Sequence, residues 1–153
     1  MKINYTPGPL LDASRTTPTA LWNDSADLDE LRQSIAFGGV GATCNPVIGY
    51  TTIKKHPDIW EDRIRAIAEN NPTWGESQIG WQAIKDMSVE AAKLLEPIFV
   101  EHKGRNGRLS IQTDPRLHRD AKALADQAEE FSNLAPNIIC LLYTSDAADE
   151  RSS

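Results

Sequence analysis

The sequence is poor in the residues that build covalent or metallic cross-links. Its two cysteines, Cys44 and Cys140, provide neither a disulfide framework nor metal-ligand spacing. Its three histidines, His56, His102 and His118, are isolated from one another and from either cysteine. Metal centres show paired ligands at short spacing, so no bound metal is expected. Apolar runs are short as well, and none nears the roughly 20 residues that a membrane helix requires. Residues 1–19 hold one early cation, Lys2, and no continuous apolar block, so they do not read as a secretory leader. A cytoplasmic protein is the expectation. Positive charge is also in deficit, with 16 Lys and Arg against 22 Asp and Glu, a net charge of −6. Phosphate backbones require clustered basic residues, and here they are scattered among acids, so a nucleic-acid partner is excluded.

What is present suits one globular domain with a real core: 153 residues, 40% hydrophobic and 25% charged. Thr6-Pro7-Gly8-Pro9 and Thr16-Thr17-Pro18 mark residues 1–19 as an irregular lead-in. Ala20-Leu21-Trp22-Asn23-Asp24-Ser25 reads as a strand that turns polar at its C-terminal edge. Asp27-Leu28-Asp29-Glu30 resembles a capping box, Leu28, Leu31 and Ile35 share a helix face, and Gly38-Gly39 ends that helix. Val40 to Asn45 is a second strand of small residues, closed by Pro46. Helices follow, with Trp60, Ile64 and Ile67 on one stripe and Ile84, Met87, Ala91, Leu94 and Ile98 on another. Pro72, Gly75 and Pro97 are expected to interrupt or bend them.

Gly107 introduces a third strand, Arg108 to Thr113. Asp114-Pro115 then supplies a cap and a first helical proline for a helix along Leu117, Ala121, Leu124, Ala128 and Phe131. Pro136 ends that helix, and Asn137-Ile138-Ile139 opens a fourth strand. Alternating strands and helices imply an α/β fold with a parallel sheet and right-handed crossovers. A (β/α) barrel and a doubly wound sheet both fit this order, and both place active sites where strands end.

Three polar residues stand at such ends: Asp24, Asn45 and Gln112. Taken singly, each has an ordinary structural role. Asp after a strand is commonly a cap or turn former, Asn before Pro a helix-entry residue, and strand Gln a satisfied amide. Gly38-Gly39-Val40-Gly41 lacks the spacing of a phosphate loop and fits a helix C-cap better.

Taken in order, the segments resemble the transaldolase family. The resemblance is carried by Leu21-Trp22-Asn23-Asp24-Ser25, Gly41-Ala42-Thr43-Cys44-Asn45-Pro46 and Leu109-Ser110-Ile111-Gln112-Thr113-Asp114-Pro115-Arg116-Leu117. Ala91-Ala92-Lys93-Leu94-Leu95-Glu96-Pro97 and Pro136-Asn137-Ile138-Ile139 extend it over residues 21–139. It implies a (β/α)₈ TIM barrel, of which residues 20–139 would supply three strands and the start of a fourth. It also implies Schiff-base chemistry on sugar phosphates, with no cofactor and no metal. A lysine iminium withdraws electrons, a carboxylate takes the C4 hydroxyl proton, and a dihydroxyacetone unit is passed to an aldose phosphate. Asp24 matches that carboxylate, and burial beside Leu21 and Trp22 would raise its pKa toward neutrality. Asn45, with Thr43 in the same motif, matches the substrate-binding position. Small sugar phosphates are therefore the expected partners, with no nucleic acid and no membrane.

Two departures stand out. Gln112 occupies a position where most transaldolases carry a water-activating glutamate, whereas the related fructose-6-phosphate aldolases carry glutamine. Glutamine holds a water but cannot act as its base. The family lysine belongs on the fourth strand just beyond Ile139, where residues 140–153 instead resemble a translated sequencing adapter. Such segments are set aside in fold reasoning, and Cys140 goes with them. Lys54, Lys55, Lys85, Lys93, Lys103 and Lys122 all fall on helices or loops, outside the desolvating strand setting that imine chemistry needs. A truncated, inactive piece of the enzyme is the expectation. A cleaving aldolase and a non-catalytic sugar-phosphate-binding domain are the alternatives.

Overall fold

The computed structural model describes residues 3–141, so most of the adapter-like segment lies outside the described residues. The chain runs α1 (Pro9–Thr16), β1 (Leu21–Asn23), α2 (Leu28–Ala36), β2 (Gly39–Cys44), α3 (Pro46–Lys55), α4 (Pro57–Asn70) and α5 (Glu76–Glu101). It continues through β3 (Arg108–Gln112), a 3₁₀ turn (Pro115–Leu117), α6 (Ala121–Ser132) and β4 (Ile138–Leu141). All three strand pairings are parallel, and the sheet order is β1-β2-β3-β4. A doubly wound sheet reverses its order at a switch point. This sheet adds strands in one direction only, as a barrel does, and so it is part of a TIM barrel.

Local chemistry starts these elements. Asp27 caps α2 by accepting from the Asp29 and Glu30 amides, at 3.0 and 3.1 Å. Asn45 caps α3 by accepting from the Ile48 amide at 2.8 Å, with Pro46 in the first turn. Gly107 turns the chain into β3 at φ 78, where a Cβ would lie 2.1 Å from the Phe99 nitrogen. Only glycine combines that backbone with that approach. Buried Asn137 then ties β4 to its neighbours, donating from Nδ2 to the carbonyls of Ala92 (2.8 Å) and Gly107 (2.9 Å).

Alternation sorts the sheet into two faces. Ala42, Cys44, Leu109, Ile111 and Ile138 are buried in one core with Ala83, Met87, Ala91, Leu95 and Phe131 from the helices. In-register partners across a parallel pair share a face. Thr43 therefore sits beside Ser110 and Ile139, and Gln112 beside Leu141, on the opposite face. Trp22 shares that face, pairing with Gly41. Its indole crosses Gly41 so closely that a Cβ there would meet ring atoms at 2.5 Å.

Three expectations change. The lead-in is not irregular throughout, because Pro9–Thr16 is helical and buries Leu11. Pro9 serves as a helix start there, which proline tolerates. Pro97 does not break α5, which continues to Glu101. The amide hydrogen bond it forfeits would have gone to Lys93, which is exposed and so leaves that carbonyl within reach of water. The helix expected from Pro115 forms only a 3₁₀ turn before α6 starts anew, capped by Asp120 at the Ala123 amide. Among the described residues, no helix is long and apolar enough to cross a membrane.

Candidate active site

The four residues singled out from sequence stand at the C-terminal edge of the sheet. Asp24 follows β1, Thr43 lies near the end of β2, Asn45 follows β2, and Gln112 ends β3. The structure joins two of them directly, since the Thr43 hydroxyl donates to Asp24 Oδ1 at 2.6 Å. That bond spans 19 residues of sequence and fixes the carboxylate toward the face that carries Thr43. Asn45 spends its side-chain oxygen on the α3 cap, so its structural role is real. Its Nδ2 group takes no part in that cap. Gln112 is half-buried, one strand further on.

The desolvation expected for Asp24 is not found in this chain. Asp24 is exposed, and Trp22 beneath it is itself 41% exposed. Only one side of the strand ends is walled by the described residues. A cleft of about 210 Å³ reaches Asp24 from the outer side, between Glu30 of α2 and Val47, Thr51 and Lys55 of α3.

A second polar cluster was not read from sequence. Asp27, 2% exposed, receives the His56 ring at 2.7 Å and the Lys55 ammonium at 3.0 Å on Oδ2. Lys55 also bonds Glu30 at 2.7 Å, so the Glu30 carboxylate serves the ion pair instead of closing a capping box. Burial pushes the Asp27 carboxyl up. The Glu30 amide, His56, Lys55 and the Asp29 amide outweigh it and hold the group at about 2. Asp27, Asp29 and His56 bring their ligand atoms within 4.8 Å, a grouping that metal sites share. Here Asp27 is already taken up by two amides, an imidazole and an ammonium, and a cation would have to displace Lys55. The residues fit an ion-paired clamp of α2 onto the α3–α4 turn. A 29-residue separation hid it, since only the cap was visible locally.

Beyond β3, Asp114 pairs with Arg116 at 2.5 Å and accepts from the Trp81 indole at 3.3 Å. The Arg116 guanidinium and its amide hold the Asp114 carboxyl below its usual value, against the effect of burial. Every lysine among the described residues lies on a helix or, for Lys103, just past α5, and none on a strand. Cys44 is buried, and its thiol is pushed up to about 11 by desolvation, so it is a core residue and not a nucleophile.

A parallel sheet in consecutive order, with a carboxylate, a hydroxyl and two amides at its C-terminal edge, has the layout of a barrel whose candidate site stands at the strand ends. The family model described as Transaldolase/Fructose-6-phosphate aldolase matches residues 21–140. The chain belongs to the transaldolase/fructose-6-phosphate aldolase family. It is 30% identical over 128 residues to a transaldolase of Thiobacillus denitrificans, covering 78% of this chain and 35% of that protein. It is 32% identical over 104 residues to transaldolase 2 of Streptomyces avermitilis, covering 65% of this chain and 27% of that protein. Transaldolase 1 of the same organism is 31% identical over 102 residues, covering 65% and 26%. The chain thus spans about a quarter to a third of the length of these relatives.

Proposed function

We propose that this chain supplies the proton-handling side of a Schiff-base transaldolase that moves a dihydroxyacetone unit between sugar phosphates in the cytosol. The observation that carries this reading is the Thr43–Asp24 hydrogen bond, with Asn45 and Gln112 on the same strand-end edge. Asp24 takes the C4 hydroxyl proton as the C3–C4 bond breaks and its electron pair moves onto the iminium. Thr43 orients the carboxylate, Asn45 donates to a substrate hydroxyl, and Gln112 holds the water consumed when the imine opens. The lysine's place is the inward side of β4. On this reading the lysine lies beyond Ile139, and the chain as written forms no imine.

The test is a hybrid in which residues 1–139 are joined to the remaining part of the Thiobacillus denitrificans transaldolase. Fructose 6-phosphate and borohydride should trap a covalent adduct in the hybrid and none in the 153-residue chain. Asp24→Ala in the hybrid should lower cleavage by about 10²–10⁴-fold, the usual worth of a positioned acid–base group. Undiminished cleavage would remove Asp24 from the chemistry. Gln112 supports a second reading, aldolase-type release of the three-carbon unit, because it resembles the glutamine that fructose-6-phosphate aldolases carry at this position.

A further inference from the structure

We propose that the cleft between α3, α5 and the loop after β3 is a binding site for a small carboxylate with an apolar body. The inference is independent of the Schiff-base chemistry above, and its test needs no catalytic activity. The cleft holds about 300 Å³, the lower end of the range that small-molecule sites occupy. Pro46 at the start of α3 forms one wall, Trp81 and Ile84 of α5 a second, and Pro115 after β3 the third. Every wall therefore lies within residues 46–116, and no sheet edge contributes.

One wall has a gap that packing does not require. Gly80 lines the cleft from inside α5, where glycine is costly relative to alanine. Close packing accounts for Gly49 of α3, because a Cβ there would meet Ile84 at 2.9 Å. At Gly80 a Cβ would meet nothing within 4 Å. The missing side chain leaves the cleft open.

Polar groups converge on the same cleft. Asp114, 6% exposed, accepts from the Arg116 amide and Nε at 2.9 Å and from the Trp81 indole at 3.3 Å. Its charge is thus taken up by its own neighbours, and the indole is held in place as a wall. Arg116 Nη2 donates to Ser77 Oγ at 2.9 Å as well as to Asp114, while Nη1 takes no part in these bonds. The guanidinium is therefore fixed although its side chain is 67% exposed. A fixed, planar guanidinium suits a carboxylate, and the indole beside it suits a flat apolar body.

The experiment is a titration of the 153-residue chain with sodium benzoate at constant ionic strength, read by ¹⁵N NMR of the indole N–H groups. Trp81→Phe assigns the relevant signal among the four tryptophans. The Trp81 signal should shift and saturate. Benzamide, the same shape without the charge, should bind at least about tenfold more weakly, as loss of a charge-assisted contact implies. Inorganic phosphate, which lacks the apolar body, should leave the signal in place. Gly80→Leu fills the cleft and favours the helix, so it should abolish the shift in a folded chain. Arg116→Met should weaken benzoate at least about tenfold and leave benzamide unchanged. If that variant fails to fold, benzamide and Gly80→Leu decide. A shift that does not saturate overturns the proposal, as does an equal response to benzoate and benzamide or to benzoate and phosphate. Undiminished benzoate binding by the Gly80→Leu chain overturns it as well.

Discussion

The two faces of one sheet behave as two different materials. On the helix side, Ala42, Cys44, Leu109, Ile111 and Ile138 are buried against α5 and α6 and contribute stability. One residue away along each strand, Trp22, Thr43, Gln112 and Leu141 keep partial exposure and carry the polar groups of the candidate site. The strands' period of two produces this separation, so a neighbour in sequence is a stranger in environment. Adjacent substitutions should therefore have opposite consequences. The sharpest contrast is Ile111 against Gln112.

Ile111→Ala should give the largest loss of stability, about 2–5 kcal/mol, because its fully buried side chain leaves a cavity under the helices. Chemical denaturation measures it. A loss below about 1 kcal/mol would mean that the helix face is not close-packed, since even Ile→Val costs about that much in a tight core.

The clamp at Asp27 comes next. Asp27→Ala removes the α2 cap and leaves His56 and Lys55 without their shared acceptor, at a cost of about 0.5–2 kcal/mol for the cap alone. The carboxyl lies lower in the folded chain, at about 2 against its ordinary 3.8, so folding favours its ionised form. That contribution is complete above about pH 4 and is lost as pH falls through about 2. Asp27→Asn keeps a capping oxygen while removing the charge. It should therefore lower stability near pH 7 by about as much as it flattens the acid limb of the stability profile, and leave stability near pH 2 nearly unchanged. An unchanged acid limb in that variant would assign acid sensitivity to other carboxylates.

How far the sequence revealed these two faces follows from the range of the forces involved. Strand starts, the caps at Asp27 and Asn45 and the apolar stripe of α5 are written in local pattern, and the structure agrees with them. Leu95 rather than Leu94 is the buried member of that stripe, a one-residue rotation that periodicity over a long helix does not resolve. Helix α1 was missed because its punctuation, Pro7-Gly8-Pro9, also opens loops, and Leu11 alone packs inward. The order of strands separated barrel from doubly wound sheet, and order is a property of pairing that no local window contains. Asp24, Asn45 and Gln112 are candidates because their motifs resemble a family's, not because a lone carboxylate or amide carries a signal. The Asp27–His56 contact, 29 residues apart, had neither kind of signature.

Gln112 should show the smallest change in stability and the most informative change in chemistry. Its side chain ends β3 on the partly open face, so Gln112→Glu should alter stability by no more than about 0.5 kcal/mol, as surface substitutions do. In the hybrid enzyme the same change puts a general base within reach of the water that opens the imine, a group worth about 10²–10⁴-fold in rate. In the proposed mechanism cleavage precedes that step and begins at Asp24, so it should be nearly unaffected. What should move is the fate of the bound three-carbon unit, between transfer to an aldose phosphate and hydrolytic release. Product ratios from fructose 6-phosphate, with and without erythrose 4-phosphate, report it directly. Gln112→Ala provides the control, because it removes the water-holding amide without adding a base and should slow both fates together. A ratio that stays constant across glutamine, glutamate and alanine would make Gln112 a strand residue without a chemical role. The aldolase-type reading would then have no residue to stand on, and Asp24 with Thr43 would carry the proposed chemistry alone.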